Sequence, residues 1–388
     1  TQSRSSAASD VYKRQTLESI LLKVRADKAR QEDYVAPTRE LQFQTKIVED
    51  GPNQPQIVLE RNGGMPTKVL DVNDVAFQQI SSRAKLHVND TRRLVENYGE
   101  EFDPLMNRIW QKEDKGVMVR TYADEFRPER GLARAFVSDS FKTFDNHHFL
   151  EASLPGLMES DARWQVVNGT ITEKKLYLRL RSLVHVGEAK LNDPQALGLL
   201  LSNSEVGHGA INVQQLIWTL MCLNGMETQN KTRSTHLQSA RGEDSYGLLT
   251  DEAKAADSQA LSLRLRDVTA SYARRESFDV ALEKMKAAHE DAVDAKPVDA
   301  VSALTGVLKL PKASESKILD GLMATLQQPG YNDGGISRAT LVQATTQVAN
   351  QPQTHEDDKQ DWMRLGAKVL DLPSAAWRQV SEAIPAAA

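Results

Sequence analysis

The sequence predicts an α+β protein, with a small antiparallel sheet of β-hairpins packed on helices and a helical C-terminal region after it. Alternating apolar and polar residues surround turn residues at 57–72 and 163–186, which is typical of hairpins. Residues 251–292 instead repeat apolar side chains at helical spacing, and short amphipathic stretches follow them. A strand-rich part followed by a helix-rich part indicates the α+β class.

The composition is that of a globular protein and excludes several classes. The 388 residues leave room for two domains. The single cysteine, Cys222, excludes an intramolecular disulfide framework and favours a reducing, cytosolic compartment. The sequence contains no apolar run of the roughly 18 residues that a transmembrane helix needs. Because the net charge is −5, a nucleic-acid surface would have to be a local basic patch.

The N-terminal part divides into a leader and an arm. Residues 1–15 lack the apolar segment of a signal peptide and look like translated sequencing-adapter DNA, so we expect them to be non-native. Residues 16–56 are predicted to be an arm only loosely tied to the rest. In this arm Thr16 caps a helix, and Pro37 breaks helical structure. The apolar residues of that helix are Leu17, Ile20, Leu21 and Val24.

Residues 57–292 are predicted to form the α+β core. Its first half contains a hairpin around Asn62-Gly63-Gly64, two helices that each follow an Asn-Asp pair, and two strands, "GVMVRTYA" and "LARAFVSD". A second hairpin is expected to turn at Asn168-Gly169, the pair that a tight type I′ turn prefers.

The second half of the core is predicted to hold one buried strand and two helical segments, and a helical domain follows it. "ALGLLLSN" is a buried strand. "INVQQLIWTLMCLNGM" is a helix that stops at Asn224-Gly225. Residues 251–292 are mainly helical, and residues 293–388 form a separate helical C-terminal domain.

A cluster of cations makes one strand of the core a candidate binding surface. In "EKKLYLRLRSLVHV", residues 173–186, alternation places leucines on one face and cations with Tyr177 on the other. Cations hold phosphates and an aromatic ring stacks on bases, which together bind single-stranded nucleic acid without reading its sequence. A solvated charged face is the alternative. The predicted DNA-binding residues are Lys174, Lys175, Tyr177, Arg179, Arg181, Arg134, Lys142, Arg120, Arg92, Arg93, Lys231 and Arg233.

Motifs of common enzyme classes are absent from the sequence. It has no Walker-type phosphate loop, no G-x-S-x-G and no H-E-x-x-H. Asp145, His147 and His148 are the best metal candidates, but neighbouring histidines on an extended segment point apart, which favours ordinary turn residues. Cys222 lies in an apolar stretch, which favours a core residue over a nucleophile. We therefore expect no catalytic residue and no cofactor.

Three segments carry a family resemblance. They are "RAFVSDSFKTFDN", "LLLSNSEVGHGAINVQQLIWTLMCLNGM" followed by "RSTH", and "LVQATTQVANQPQTHEDDKQDWMRLGAKVLDL". Together they resemble the domain-of-unknown-function 932 family of phage- and plasmid-associated proteins, over roughly residues 35–375. The combination "SNSEVG" with "CLNGM" is the most specific part.

The resemblance implies a single-strand annealing protein similar to RecT and Red-beta. Such proteins use no ATP, assemble as rings or helical filaments, and share a hairpin or small sheet packed on helices. The expected partners are single-stranded DNA, the annealed duplex intermediate, other copies of the chain, and a host single-strand-binding protein or a phage exonuclease. The expected location is the cytoplasm of a bacterial host, away from the membrane.

Two alternatives remain open at this point. One is a non-enzymatic phage or plasmid structural or binding protein, whose basic strand faces an acidic protein neighbour. The other is a metal-dependent nuclease that uses Asp145, His147 and His148.

Overall fold

The fold consists of two β-sheets with helices packed on their faces. The computed structural model describes residues 17–59, 68–220, 224–227, 250–332, 335–351 and 353–383. These ranges contain both sheets and helices, and the C-terminal region is helical, which confirms the predicted α+β class. The sheets are larger than the single small sheet that the sequence predicts.

The first sheet has six strands in the order β1-β5-β6-β4-β3-β2. The strands are β1 Gln31–Pro37, β2 Leu41–Lys46, β3 Gln54–Leu59, β4 Lys68–Val72, β5 Gly116–Ala123 and β6 Arg130–Ser138. Neighbours are antiparallel except β4 and β6, which are parallel. Helices α2 (Asp74–Arg83) and α3 (Val88–Glu113) cover one face, where Phe43 packs edge-on against Phe102 and Trp110.

The second sheet has five antiparallel strands in the order β11-β10-β9-β8-β7. The strands are β7 Trp164–Ile171, β8 Leu176–Lys190, β9 Asp193–Asn203, β10 Asn212–Thr219 and β11 Asn224–Glu227. Helices α1 (Leu17–Arg30), α4 (Asn146–Met158) and α5 (Asp251–Tyr272) pack on one face.

The other face of the second sheet lies against the C-terminal helices. These are α6 Arg275–Glu290, α7 Pro297–Val307, α8 Ala313–Thr325, α9 Arg338–Gln347, α10 Glu356–Leu370 and α11 Ser374–Ser381. One buried cluster joins strand residues such as Leu197 and Ile217 to side chains from α6 through α11. This cluster extends across the domain boundary predicted at residues 292 and 293, and that boundary stays a prediction.

Several predicted elements of the core are confirmed. The first hairpin is β3 with β4, although its turn at residues 60–67 lies outside the described residues. The two predicted strands between residues 116 and 138 are β5 and β6. Asn73 caps α2 as expected, since its side chain accepts a hydrogen bond of 2.9 Å from the backbone N–H of Ala76.

The prediction of a loosely tied N-terminal arm is wrong. Strands β1 and β2 of this segment form the two edges of the first sheet. Ile20 and Phe43 are fully buried in two different hydrophobic clusters. Polar residues alternate with the apolar ones in these strands, and a half-buried edge strand has this composition as readily as a loop.

The predicted turn at Asn168-Gly169 is also wrong. Both residues lie inside β7, opposite Arg179 and Leu178. The chain turns at residues 172–175 instead, where the Thr172 hydroxyl accepts hydrogen bonds from the backbone N–H groups of Lys174 and Lys175. A Cβ at position 169 would come within 1.9 Å of Ile20 Cδ1, so glycine at this position allows α1 to pack closely on the strand.

The segment predicted as a helix from residue 211 forms strands β10 and β11. Because helices cover both faces of this sheet, Leu216, Ile217 and Trp218 are all buried in succession. A fully buried strand has a continuous apolar run, which periodicity alone cannot distinguish from a buried helix. Cys222, which was assigned to that helix, lies outside the described residues.

Candidate anion-binding site

The basic face of β8 is covered by α10, so the prediction that this face is open is wrong. Tyr177 is 1% exposed and Arg179 is 3% exposed. The leucines of the opposite face form an apolar surface, as predicted, and this surface packs against α1, α4 and α5. Neither Tyr177 nor Arg179 can reach a DNA strand while α10 remains in place.

The first turn of α10 supplies the partners of both residues. The Tyr177 hydroxyl donates a hydrogen bond of 2.9 Å to Asp357 Oδ1, and Arg179 forms an ion pair with Glu356. Burial, followed by the nearby Asp357 carboxylate, raises the pKa of Tyr177 well above its ordinary value. The tyrosine is therefore a neutral donor that fixes the start of α10 against β8.

Glu356 makes the stability of this contact depend on pH. Burial opposes its ionisation, but Arg179 and Lys359 outweigh burial and hold the pKa of Glu356 below its ordinary value of 4.5. A depressed pKa contributes stability above the ordinary value, and this contribution is lost as the pH falls through the folded-state value.

We therefore expect Glu356→Gln to reduce the stability lost between pH 6 and pH 3. At pH 7 the variant should unfold more easily than the wild type, because Arg179 keeps its charge without a carboxylate partner. Urea unfolding at several pH values measures both effects. Parallel stability curves for the two proteins would contradict the role assigned to Glu356.

Arg120, another predicted DNA ligand, is fully buried between two aspartates. Its Nη2 lies 2.8 Å from Asp33 Oδ2 and 2.7 Å from Asp145 Oδ1. Its Nη1 donates a hydrogen bond of 2.8 Å to the backbone carbonyl of Glu205. Arg120 therefore links the first sheet to the loop after β9, and its burial corrects the prediction that it contacts DNA.

The other predicted cations occupy different places. Arg92 donates a hydrogen bond to Asp74, and Lys142 forms an ion pair with Asp257. Arg181 donates a hydrogen bond to Gln165.

The remaining predicted cations are Arg93, Lys231 and Arg233. Arg93 is exposed on α3. Lys231 and Arg233 lie outside the described residues.

The residues of the proposed metal site are not arranged to bind an ion. Asp145 is held by Arg120, and the rings of His147 and His148 lie side by side in the first turn of α4, with centroids 3.7 Å apart. Within the described part of the chain, no group of three or more histidine, cysteine, aspartate or glutamate side chains could hold a metal ion.

Three of the predicted residues meet at one cleft between the two sheets. Its volume is about 190 Å³. Arg134 of β6 and Tyr122 of β5 line it from the first sheet, while Lys174 and Lys175 line it from the turn between β7 and β8. Both lysines are half-buried at this turn, and we call them the lysine rim. The cleft thus combines cations from separate parts of the chain.

The loop at residues 204–209 holds the lysine rim in place. The Ser204 hydroxyl donates to the backbone carbonyl of Lys174 at 2.8 Å and accepts from the backbone N–H of His208 at 2.9 Å. Gly207 and Gly209 have φ angles of +78° and +135°, a left-handed backbone conformation that residues other than glycine rarely adopt. The glycines therefore let the loop fold back onto the turn.

Arg134 forms the buried wall of the cleft. Its side chain is 5% exposed and makes an ion pair with Glu205. Its guanidinium carbon lies 4.4 Å from the centre of the Tyr122 ring, within cation–π distance. Burial raises the pKa of Tyr122, so that the ring stays a neutral phenol beside the guanidinium.

His208 lies in the positive field of the lysine rim. Burial lowers the pKa of His208, and Lys174 and Lys175 lower it further. On the same turn, burial and the nearby Asp74 carboxylate raise the pKa of Glu173. Both lysines thus lie close enough to His208 for their charges to act on its ring.

Sequence reasoning missed Glu205 and Tyr122. Glu205 binds Arg134 and also accepts a hydrogen bond of 2.6 Å from the backbone N–H of Asn146. The segment "SNSEVG", which contains Glu205, was the most specific part of the family resemblance, and this was the one signal that pointed to it. Nothing in the sequence near Tyr122 predicted its contact with Arg134.

Comparison with family models, curated proteins and solved structures finds no match for this chain. The resemblance to the domain-of-unknown-function 932 family therefore stays a prediction. Among the described helices, none combines the length and apolar character needed to cross a bilayer.

Proposed function

We propose that the protein binds single-stranded nucleic acid at the lysine rim and anneals complementary strands without ATP. The observation that supports the proposal most is the placement of Lys174 and Lys175. They remain partly accessible on a braced turn, while Tyr177 and Arg179 of β8, the strand that follows this turn, are covered. Binding to the phosphate backbone at such a rim leaves the bases free to pair.

The energetics of annealing suit a site of this kind. Base stacking in a duplex contributes on average about 1.4 kcal/mol per step, so pairing of complementary strands is already favourable. The protein needs only to neutralise phosphates and hold the strand extended. A few cations per subunit bind weakly, so we also propose that copies of the chain assemble in a row or ring and gain affinity through multivalency.

Charge reversal of the lysine rim tests the binding proposal. We expect Lys174→Glu with Lys175→Glu to weaken binding of a fluorescent single-stranded oligonucleotide by at least about tenfold, uniformly across sequences. The slope of log affinity against log salt should become shallower by about 1.4, because each phosphate contact contributes about 0.7. Annealing of two complementary oligonucleotides, in EDTA and without ATP, should slow in parallel.

A matched variant separates local contacts from net charge. Lys46→Glu with Lys112→Glu makes the same charge change at two exposed lysines, on the far edge strand β2 and in the last turn of α3. This control should bind like the wild type. Equal weakening in both variants would locate the effect in net charge and contradict the rim, and a wild type that binds no strand at low salt would exclude the function.

A further inference from the structure

Arg134 has hydrogen-bonding capacity that the protein itself does not use. Its Nη1 binds Glu205, but its Nε and Nη2 groups are buried and have no hydrogen-bond partner among the described residues. Buried donors are normally satisfied, and leaving one unsatisfied destabilises the folded protein. A guanidinium with two unused N–H groups matches the paired oxygens of a phosphate or carboxylate.

The surroundings of Arg134 favour an anion over a cation. The cleft residues comprise one more cation than carboxylates. Of the carboxylates, Glu205 accepts from both Arg134 and Asn146, and Asp27 lies 3.2 Å from the Lys23 amino group. The charges of Glu205 and Asp27 are therefore largely compensated inside the protein. The third carboxylate, Glu173, lies on the same turn as the two cations of the lysine rim.

The size of the cleft limits what can enter it. Pockets that enclose whole small molecules have volumes of roughly 300–1,000 Å³. The cleft holds about 190 Å³, which is enough for one charged group but not for a nucleotide within a continuing strand. A strand can place such a group there only at its end.

We infer that the cleft binds a phosphate monoester, namely the terminal phosphate of the nucleic-acid strand that the lysine rim holds, with Arg134 as the anchor. A terminal phosphate carries a charge of about −1.5 to −2 near pH 7, more than the single charge of an internal diester. It also presents three free oxygens to a guanidinium fork. The terminal origin of the phosphate rests on the proposed function, whereas the anion site itself does not.

The test compares oligonucleotides of one sequence with a 5′-phosphate, a 3′-phosphate or neither, bound to the full chain and measured by fluorescence anisotropy. We expect one phosphorylated form to bind about tenfold more tightly than the unphosphorylated form, the ratio that corresponds to 1.4 kcal/mol. Arg134→Lys should remove this preference, because lysine keeps a positive charge beside Glu205 but lacks the fork of donors. Arg130→Lys is the matched control on the same strand, since Arg130 pairs with Asp71 outside the cleft.

Titration of the wild type and Arg134→Lys with inorganic phosphate, followed by calorimetry, separates the two sources of the anion. One outcome is that the wild type binds inorganic phosphate, Arg134→Lys does not, and no oligonucleotide binds. This result would support an anion site for free phosphate, and it would overturn both the terminal assignment and the proposed function. Equal affinity for all three oligonucleotides, with no phosphate binding, would overturn the inference and leave strand binding intact. A preference that persists in Arg134→Lys would also overturn it.

Discussion

Replacing Asp193 with alanine is expected to lower the free energy of unfolding by about 3–5 kcal/mol, because three buried side chains lose the acceptor that they share, and losing the partner of a buried polar group costs about 1–3 kcal/mol each. Asp193 begins β9 and is fully buried. Its Oδ2 lies 2.9 Å from His289 Nε2 and accepts a hydrogen bond of 2.9 Å from the Tyr331 hydroxyl. Its Oδ1 accepts one of 2.7 Å from Gln195. The substitution removes this acceptor from all three side chains.

An exposed aspartate is the control for Asp193. Asp361 has a side-chain partner as well, Arg364, but its own side chain is 76% exposed. Exposed pairs contribute about 0–1 kcal/mol, so Asp361→Ala should change stability by less than about 1 kcal/mol. Urea unfolding followed by circular dichroism measures both variants. Similar losses of stability in the two variants would show that the burial of Asp193 does not decide how much it contributes to the free energy of unfolding.

Local pattern predicts some of the elements whose signals lie within a few residues. The Asn73 cap and the hairpin of β3 and β4 are two examples. Capping depends on side chains three residues apart, and a hairpin depends on two adjacent runs. Asn168-Gly169 is an equally local signal that fails, because glycine at position 169 allows α1 to pack on β7.

The cover of β8 could not be predicted in this way. The alternation of Tyr177 and Arg179 with leucines predicts two different faces of β8, and it predicts an open face for these two residues. It is covered by Glu356 and Asp357, which are 177 and 180 residues away in sequence from their partners. Sequence spacing carries no information about such pairing. An acidic protein neighbour was one alternative for the basic strand. In the structure, two acidic residues of the same chain lie against this strand.

The candidate cleft was predictable in part. Arg134, Lys174 and Lys175 were all identified as cations, but their convergence depends on how the two sheets meet. Arg120 shows why charge alone is a weak guide. Arg120 is an arginine of the same sheet as Arg134, yet its guanidinium is bound by two carboxylates of this chain.

Arg120→Leu is therefore expected to act on stability and not on strand binding. The substitution leaves Asp33 and Asp145 without their buried cation, and the expected loss at pH 7 is about 3–5 kcal/mol. Burial opposes ionisation of Asp145, and Arg120 now holds the pKa of Asp145 below its ordinary value. Without Arg120, burial raises that pKa. A carboxyl group whose pKa is higher in the folded than in the unfolded state lowers the stability of the fold as the pH rises. The loss of stability in Arg120→Leu should therefore become smaller as the pH falls towards about 4.

A second substitution tests this explanation directly. Asp145→Asn, added to Arg120→Leu, removes the uncompensated charge and should restore part of the lost stability, an interaction that a double-mutant cycle measures. Equal deficits with and without Asp145→Asn would contradict the ion pair as the cause. At a temperature where Arg120→Leu is still folded, strand binding should equal that of the wild type. Weaker binding by the folded variant would instead favour the contact with phosphate that the sequence alone predicted for Arg120.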